Sequence, residues 1–144
     1  MQREVLHADE TTVQVLKEKG KAPTTKSYMW LYCTGNDGRP PIVLYDYKTS
    51  RSGDNAKAFL EGFHGYLHTD TVGRKNWLFS DTPAGAKASA VIYSIVETAK
   101  ANNLAPRDYI QFLFENLPDM EIQTHPERLD QMLPWGKLIQ EIFA

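Results

Sequence analysis

A single cysteine, Cys33, in 144 residues excludes an internal disulfide and any cysteine-built zinc site. Long apolar runs are also missing. None approaches the roughly 18 residues that would span a bilayer, and the opening MQREVLHADE is polar where a signal peptide would be apolar. The expectation is a soluble, cytoplasmic chain with no membrane partner. Neither sign of charge dominates: 16 Lys and Arg against 18 Asp and Glu leave a net charge of −2. That balance gives no overall pull toward nucleic acid, so a DNA contact would have to come from a local basic cluster. Internal repeats and low-complexity stretches are absent too, which excludes a solenoid. The chain has 42% hydrophobic and 24% charged residues, the ordinary mixture of a globular domain. A chain this long buries roughly two thirds of its unfolded surface, enough to fold without a disulfide or metal.

Two hydrophobic periods divide the sequence. Up to about residue 70 it alternates as strands do. REVLHAD places Val5 and His7 on one face and ends at Asp9. TKSYMWLYCTG and PPIVLYDYKTS are rich in aromatic and β-branched residues, and the Asn36-Asp37-Gly38 turn between them predicts a hairpin. Tyr28, Trp30, Tyr32, Tyr45 and Tyr47 alternate along these runs, as expected of sheet faces packed on helices. The period then becomes helical over residues 54–64, with Ala58, Phe59 and Phe63 at helical spacing and Ser52 or Asp54 able to cap. GYLHTD follows as a further strand, ending at Asp70. The second half reads as helices. Thr82-Pro83 is a cap followed by proline at the first helical position. Ala88, Ile92, Ile95 and Ala99 form an apolar stripe ending near Asn102-Asn103, and a second helix starts at Ala105-Pro106 and stops at Pro118. A helical turn over residues 126–132 and a short last helix are also expected. The fold class is α/β (α+β), in the order strand, strand, strand, helix, strand, then helices, with segments 1–72 and 73–144.

Asp9 and Asp70 each close a predicted strand. If those strands are neighbours, their carboxylates emerge together, and a divalent ion relieves their repulsion. Glu10 should point to the opposite strand face. The chain's four histidines, His7, His64, His68 and His125, share no metal-ligand spacing, and His68, two before Asp70, is read as structural. Arg74 and Lys75, beside Trp77 in GRKNW, are candidate phosphate contacts. Lys17, Lys19, Lys21 and Lys26 form a looser basic run, read as an exposed loop.

Longer blocks carry more information. HADETTVQVLKEKGKAPTTKSYMWLY, PPIVLYDYKTSRSGDNAKAFLEGFHGYLHTD, GRKNWLFSDTPAGAKASAVIYSIVETAKANNL and LPW closely resemble transposases of the insertion-sequence-66 family, from about Val5 to Trp135. The resemblance implies a ribonuclease-H-like core in which the first and fourth strands are adjacent. It implies an Asp, Asp, Glu site for Mg²⁺ or Mn²⁺, with Asp9 and Asp70 as the first two acids, and DNA as the partner. In the family a long stretch bearing the glutamate precedes GRKNWLF, whereas here only Thr71 and Val72 separate Asp70 from Gly73. The third acid has no counterpart, and the contexts of Glu97 and Glu115 do not match it. The expectation is therefore an internally deleted transposase without the family's N-terminal DNA-recognition region, catalytically incompetent. The alternative is a non-catalytic module that pairs with full-length transposase or with DNA. A bared sheet edge, with the helical stripe free to fold onto a second chain, predicts a homodimer.

Overall fold

In a computed structural model that describes residues 3–69 and 79–143, the strands are β1 (Val5–Val15), β2 (Lys26–Thr34), β3 (Val43–Lys48), β4 (Tyr66–Thr69) and β5 (Phe79–Ser80). The helices are α1 (Gly53–Phe59), α2 (Pro83–Ala101), α3 (Pro106–Asn116) and α4 (Lys137–Phe143). Short 3₁₀ turns occupy Leu117–Asp119 and Pro126–Met132. The chain divides into two compact units, Met1–Ser94 and Ile95–Ala144.

The first unit is a mixed sheet in the order β3-β2-β1-β4, to which β5 adds on β1. Antiparallel pairing joins β1 to β2 and β2 to β3, while β4 and β5 both run parallel to β1. The predicted hairpin is present. Gly38, at φ +72°, takes the left-handed conformation its turn requires. Arg3 ties the turn down by donating to Asp37 Oδ1 at 2.7 Å and to the Pro40 carbonyl at 2.6 Å. Burial works to raise the Asp37 carboxyl, but the Arg39 amide and the Arg3 guanidinium outweigh it and hold it below the usual carboxylate range.

Alternation sorts the aromatic residues onto two faces. Trp30 and Tyr32 pack with Ala8 beneath Ala56 and Leu60 of the α1 segment. Met29 and Tyr47 pack with Val13 and Val15 beneath Ala86 and Ala90 of α2. Ser52 caps α1 by accepting from the Asp54 amide at 3.3 Å. The helix is shorter than its sequence period suggests. It ends at Phe59 because Gly62, at φ +79°, turns the chain away before Phe63 can continue the stripe. Thr82 caps α2 by accepting from the Gly85 amide at 3.1 Å. The stripe assigned to α2 needs correction: Ala88 and Ile92 face solvent, and Ala86 and Ala90 are the residues that meet the sheet. Ile92 is the larger apolar residue, but the close approach of a helix to Met29 and Tyr47 selects alanine. Ser94 Oγ accepts from the Tyr45 amide at 2.8 Å, so α2 satisfies a donor on the outer edge of β3.

In the second unit Ala99, Leu104, Tyr109, Met132 and Ile139 form the core. Asn103, at φ 62°, closes the end of α2 near the predicted position. Pro106 begins α3, and the Tyr109 hydroxyl donates to the Met132 carbonyl at 2.6 Å, locking the Pro126–Met132 turn onto α3. Burial pushes that phenol up to about 12.

A carboxylate is buried where β1 turns back toward β2. Glu18, 8% exposed, accepts from Ser27 Oγ at 2.5 Å and from the Tyr47 hydroxyl at 2.7 Å, with Lys21 Nζ 2.8 Å away. Burial pushes the Glu18 carboxyl up, but these three donors and the Lys21 charge prevail, and its pKa lies below the ordinary value. The folded state thus favours ionised Glu18. Its contribution is complete above the unfolded-state glutamate pKa of about 4.3 and is lost as pH falls through the lower folded-state value. Glu18→Gln is expected to cost about 1–3 kcal/mol at pH 7. The gap to the parent should narrow on acidification below pH ~4. Urea midpoints at both pH values check this, and a gap that does not change with pH would contradict it.

Candidate functional site

Strand parity decides what each candidate side chain sees. Asp9 shares its face of β1 with Val13 and Val15, which pack toward α2, and Glu10 shares the α1 face with Ala8. Glu10 accordingly points away from Asp9, as expected. It is not a solvated bystander, however: its Oε1 accepts from Arg51 Nε at 2.5 Å, and its side chain is 18% exposed.

Asp9 does not end a strand. β1 continues through Thr11, Thr12 and Val13 to Val15, pairing with β2 as far as Gln14↔Lys26. The β-branched residues after Asp9 keep the alternation going, and the sequence reading stopped at the charge. Asp9 therefore stands within the strand, half-buried, with Oδ1 accepting from the Glu10 amide at 2.8 Å.

The strand that precedes the second acid in sequence is a neighbour of β1. β4 runs parallel to β1 in the register Val5↔Tyr66, Leu6↔Leu67, His7↔His68 and Ala8↔Thr69. The residue before Asp70 is thus opposite the residue before Asp9. Asp70 itself, the Thr71-Val72 junction, and Arg74 and Lys75 lie outside the described residues.

Other charged candidates are spoken for locally. Glu97 is 2.8 Å from Lys100 Nζ, and Glu115 accepts from Gln111 at 2.8 Å. Lys17 meets Asp81 at 2.7 Å and Lys21 belongs to the Glu18 network; Lys17, Lys19 and Lys26 are exposed and Lys21 is half-buried. Among the described residues, no three His, Cys, Asp or Glu side chains gather into a metal-holding group. A site for Mg²⁺, which takes oxygen ligands, is therefore not completed by the described residues, which contribute the Asp9 carboxylate alone.

Sequence reading missed two features. The first is the meeting of His7 and His68, whose ring centroids are 5.1 Å apart with planes tilted by 32°. A signal was available: each histidine stands two residues before an aspartate, in HAD and HTD. Parallel alignment of two such strands brings like to like. The second is a cavity of about 200 Å³ on the α1 side, lined by Tyr32, Leu44, Phe59, Leu60 and Phe63 among others. Tyr32 stacks on Phe59 at 3.8 Å, and its buried hydroxyl has no hydrogen-bond partner among the described residues. Burial, with the charge of Asp46, pushes that phenol up to about 12. The lining is chiefly apolar, with Cys33, Thr34 and Glu61 as its other polar members.

Residues 1–71 match the model described as Transposase IS66 family, and residues 94–135 match that of the IS66 C-terminal element. The uncharacterized protein y4hP of Sinorhizobium fredii (strain NBRC 101917 / NGR234) is 30% identical over 70 residues, 48% of this chain. The chain spans only 12% of the length of that relative. No solved structure matches it.

Proposed function

Because the chain belongs to the IS66 transposase family, we propose that it is a reduced form of a metal-dependent DNA strand-transfer enzyme, with a ribonuclease-H-like sheet and an incomplete acid site. One observation carries this reading. The parallel β1 and β4 strands set Ala8 opposite Thr69, the residues that precede the two acids in sequence. The strand order β3-β2-β1-β4, with β1 beside β4, also agrees with that fold.

Asp9 and Asp70 would be the oxygen ligands of Mg²⁺ or Mn²⁺, which supplies charge neutralisation at phosphate. Asp9 is paired with Leu31 of β2, and its Oδ1 accepts from the Glu10 amide, which supports this role for it. With neither Glu97 nor Glu115 in the family's context, the site lacks its third acid. Misplacing a metal by about 1 Å can cost ~10²-fold in rate, so strand transfer should be lost. Segments 1–72 and 73–144 are two pieces of the ancestral protein joined across an internal deletion, and Arg74 and Lys75 at the join are the DNA contacts of this reading.

The test is Mn²⁺-dependent nicking of supercoiled DNA, run beside an Asp9→Asn, Asp70→Asn variant. Asparagine at position 9 keeps an acceptor for the Glu10 amide, so the variant should remain folded. No metal-dependent cleavage by either protein is expected. Cleavage by the parent that the variant lacks would instead show a working enzyme.

A second reading is favoured by β4. All four of its residues are exposed, Tyr66 at 76%, and among the described residues its only strand neighbour is β1. An apolar edge of this kind invites pairing with another chain, either a second copy or full-length transposase. Light scattering at high protein concentration should show a dimer, and a monodisperse monomer would remove the homodimer.

A further inference from the structure

We propose that His7 and His68 together form a two-imidazole site for a borderline transition-metal cation, with Zn²⁺ as the type ion. The pair is built by the backbone. His7 and His68 are register partners on adjacent parallel strands, so their side chains leave the same face of the sheet. His7 is half-buried within β1, with β2 paired on its other side, while His68 is exposed on the outer strand. One ligand is therefore held firmly and the other is reachable from solvent.

The separation fits a shared ion. Imidazole nitrogens bind Zn²⁺ at about 2.0–2.1 Å, so two rings sharing a tetrahedral ion have centroids roughly 5 Å apart. The observed centroids are 5.1 Å apart with tilted planes, a separation that a shared ion would require. Nitrogen donors select Zn²⁺, Ni²⁺ or Cu²⁺ over Mg²⁺, which prefers carboxylate and water. The chemistry thus differs from that of the Asp9 and Asp70 pair, and the inference does not depend on those acids. No third His, Cys, Asp or Glu among the described residues joins the two. The remaining coordination positions fall to water, and binding is weak and reversible rather than structural.

The test is calorimetric titration of ZnCl₂ into the full chain at pH 7.5, with MgCl₂ in parallel. The parent is compared with His68→Gln, with His7→Gln and with the Asp9→Asn, Asp70→Asn double variant. Saturable Zn²⁺ binding is expected in the parent and in the double carboxylate variant. Losing either imidazole should weaken it at least about tenfold. His68 is exposed, so His68→Gln should fold normally and decides the matter even if His7→Gln does not. The proposal is overturned if the parent shows no saturable Zn²⁺ binding or if His68→Gln binds as tightly as the parent. It is equally overturned if binding disappears only in the carboxylate variant, which would assign the ion to the acids.

Discussion

Hydrogen bonding along both edges of β1 places every other strand-borne group in the first unit. On one edge β2 runs antiparallel to it for nearly its whole length, and on the other β4 meets its beginning and β5 its end. A central strand cannot leave its amides and carbonyls unpaired without a cost of about 1–3 kcal/mol per buried group. Its register with each neighbour is therefore strongly fixed, since a slip of one residue would turn every side chain to the wrong face. Ala8 would then lose its place against Trp30 and Tyr32, and Val13 and Val15 theirs against Met29.

The chemistry follows from the same constraint. Because β1 and β4 are parallel and aligned, His7 comes beside His68 and Ala8 beside Thr69, and one register sets the imidazole pair. β4 pairs as far as Ala8 and β5 takes over at Gln14. Between these points, among the described residues, that edge of β1 carries no strand. Asp9 is the first residue of the interval.

Much of this was legible in the sequence, and the failures have physical reasons. Alternation found β2 and β3, and Asn36-Asp37-Gly38 found the turn between them. Thr82-Pro83 and Asn102-Asn103 bracketed α2 because caps and helix stops are local chemistry. The extent of β1 was misjudged at Asp9, since a charge was taken as a strand end although β-branched residues continued beyond it. The buried face of α2 was misjudged because size was weighed above fit: the sheet accepts Ala86 and Ala90 closely and leaves Ile92 outside. β5 is a two-residue strand made by pairing with Val15 and Gln14, and nothing within Phe79-Ser80 alone announces it. The His7 and His68 pair is likewise a product of register, invisible to ligand spacing along one chain.

The central claim is that β4 docks in parallel beside the first turn of alternation in β1. Nuclear Overhauser contacts between backbone protons of the two strands measure it directly. The account predicts cross-strand contacts linking Leu6 with Leu67, His7 with His68 and Ala8 with Thr69, alongside those between β1 and β2. Strong β1–β2 contacts with none from β1 to residues 66–69 would contradict it, because the paired imidazoles could not then form.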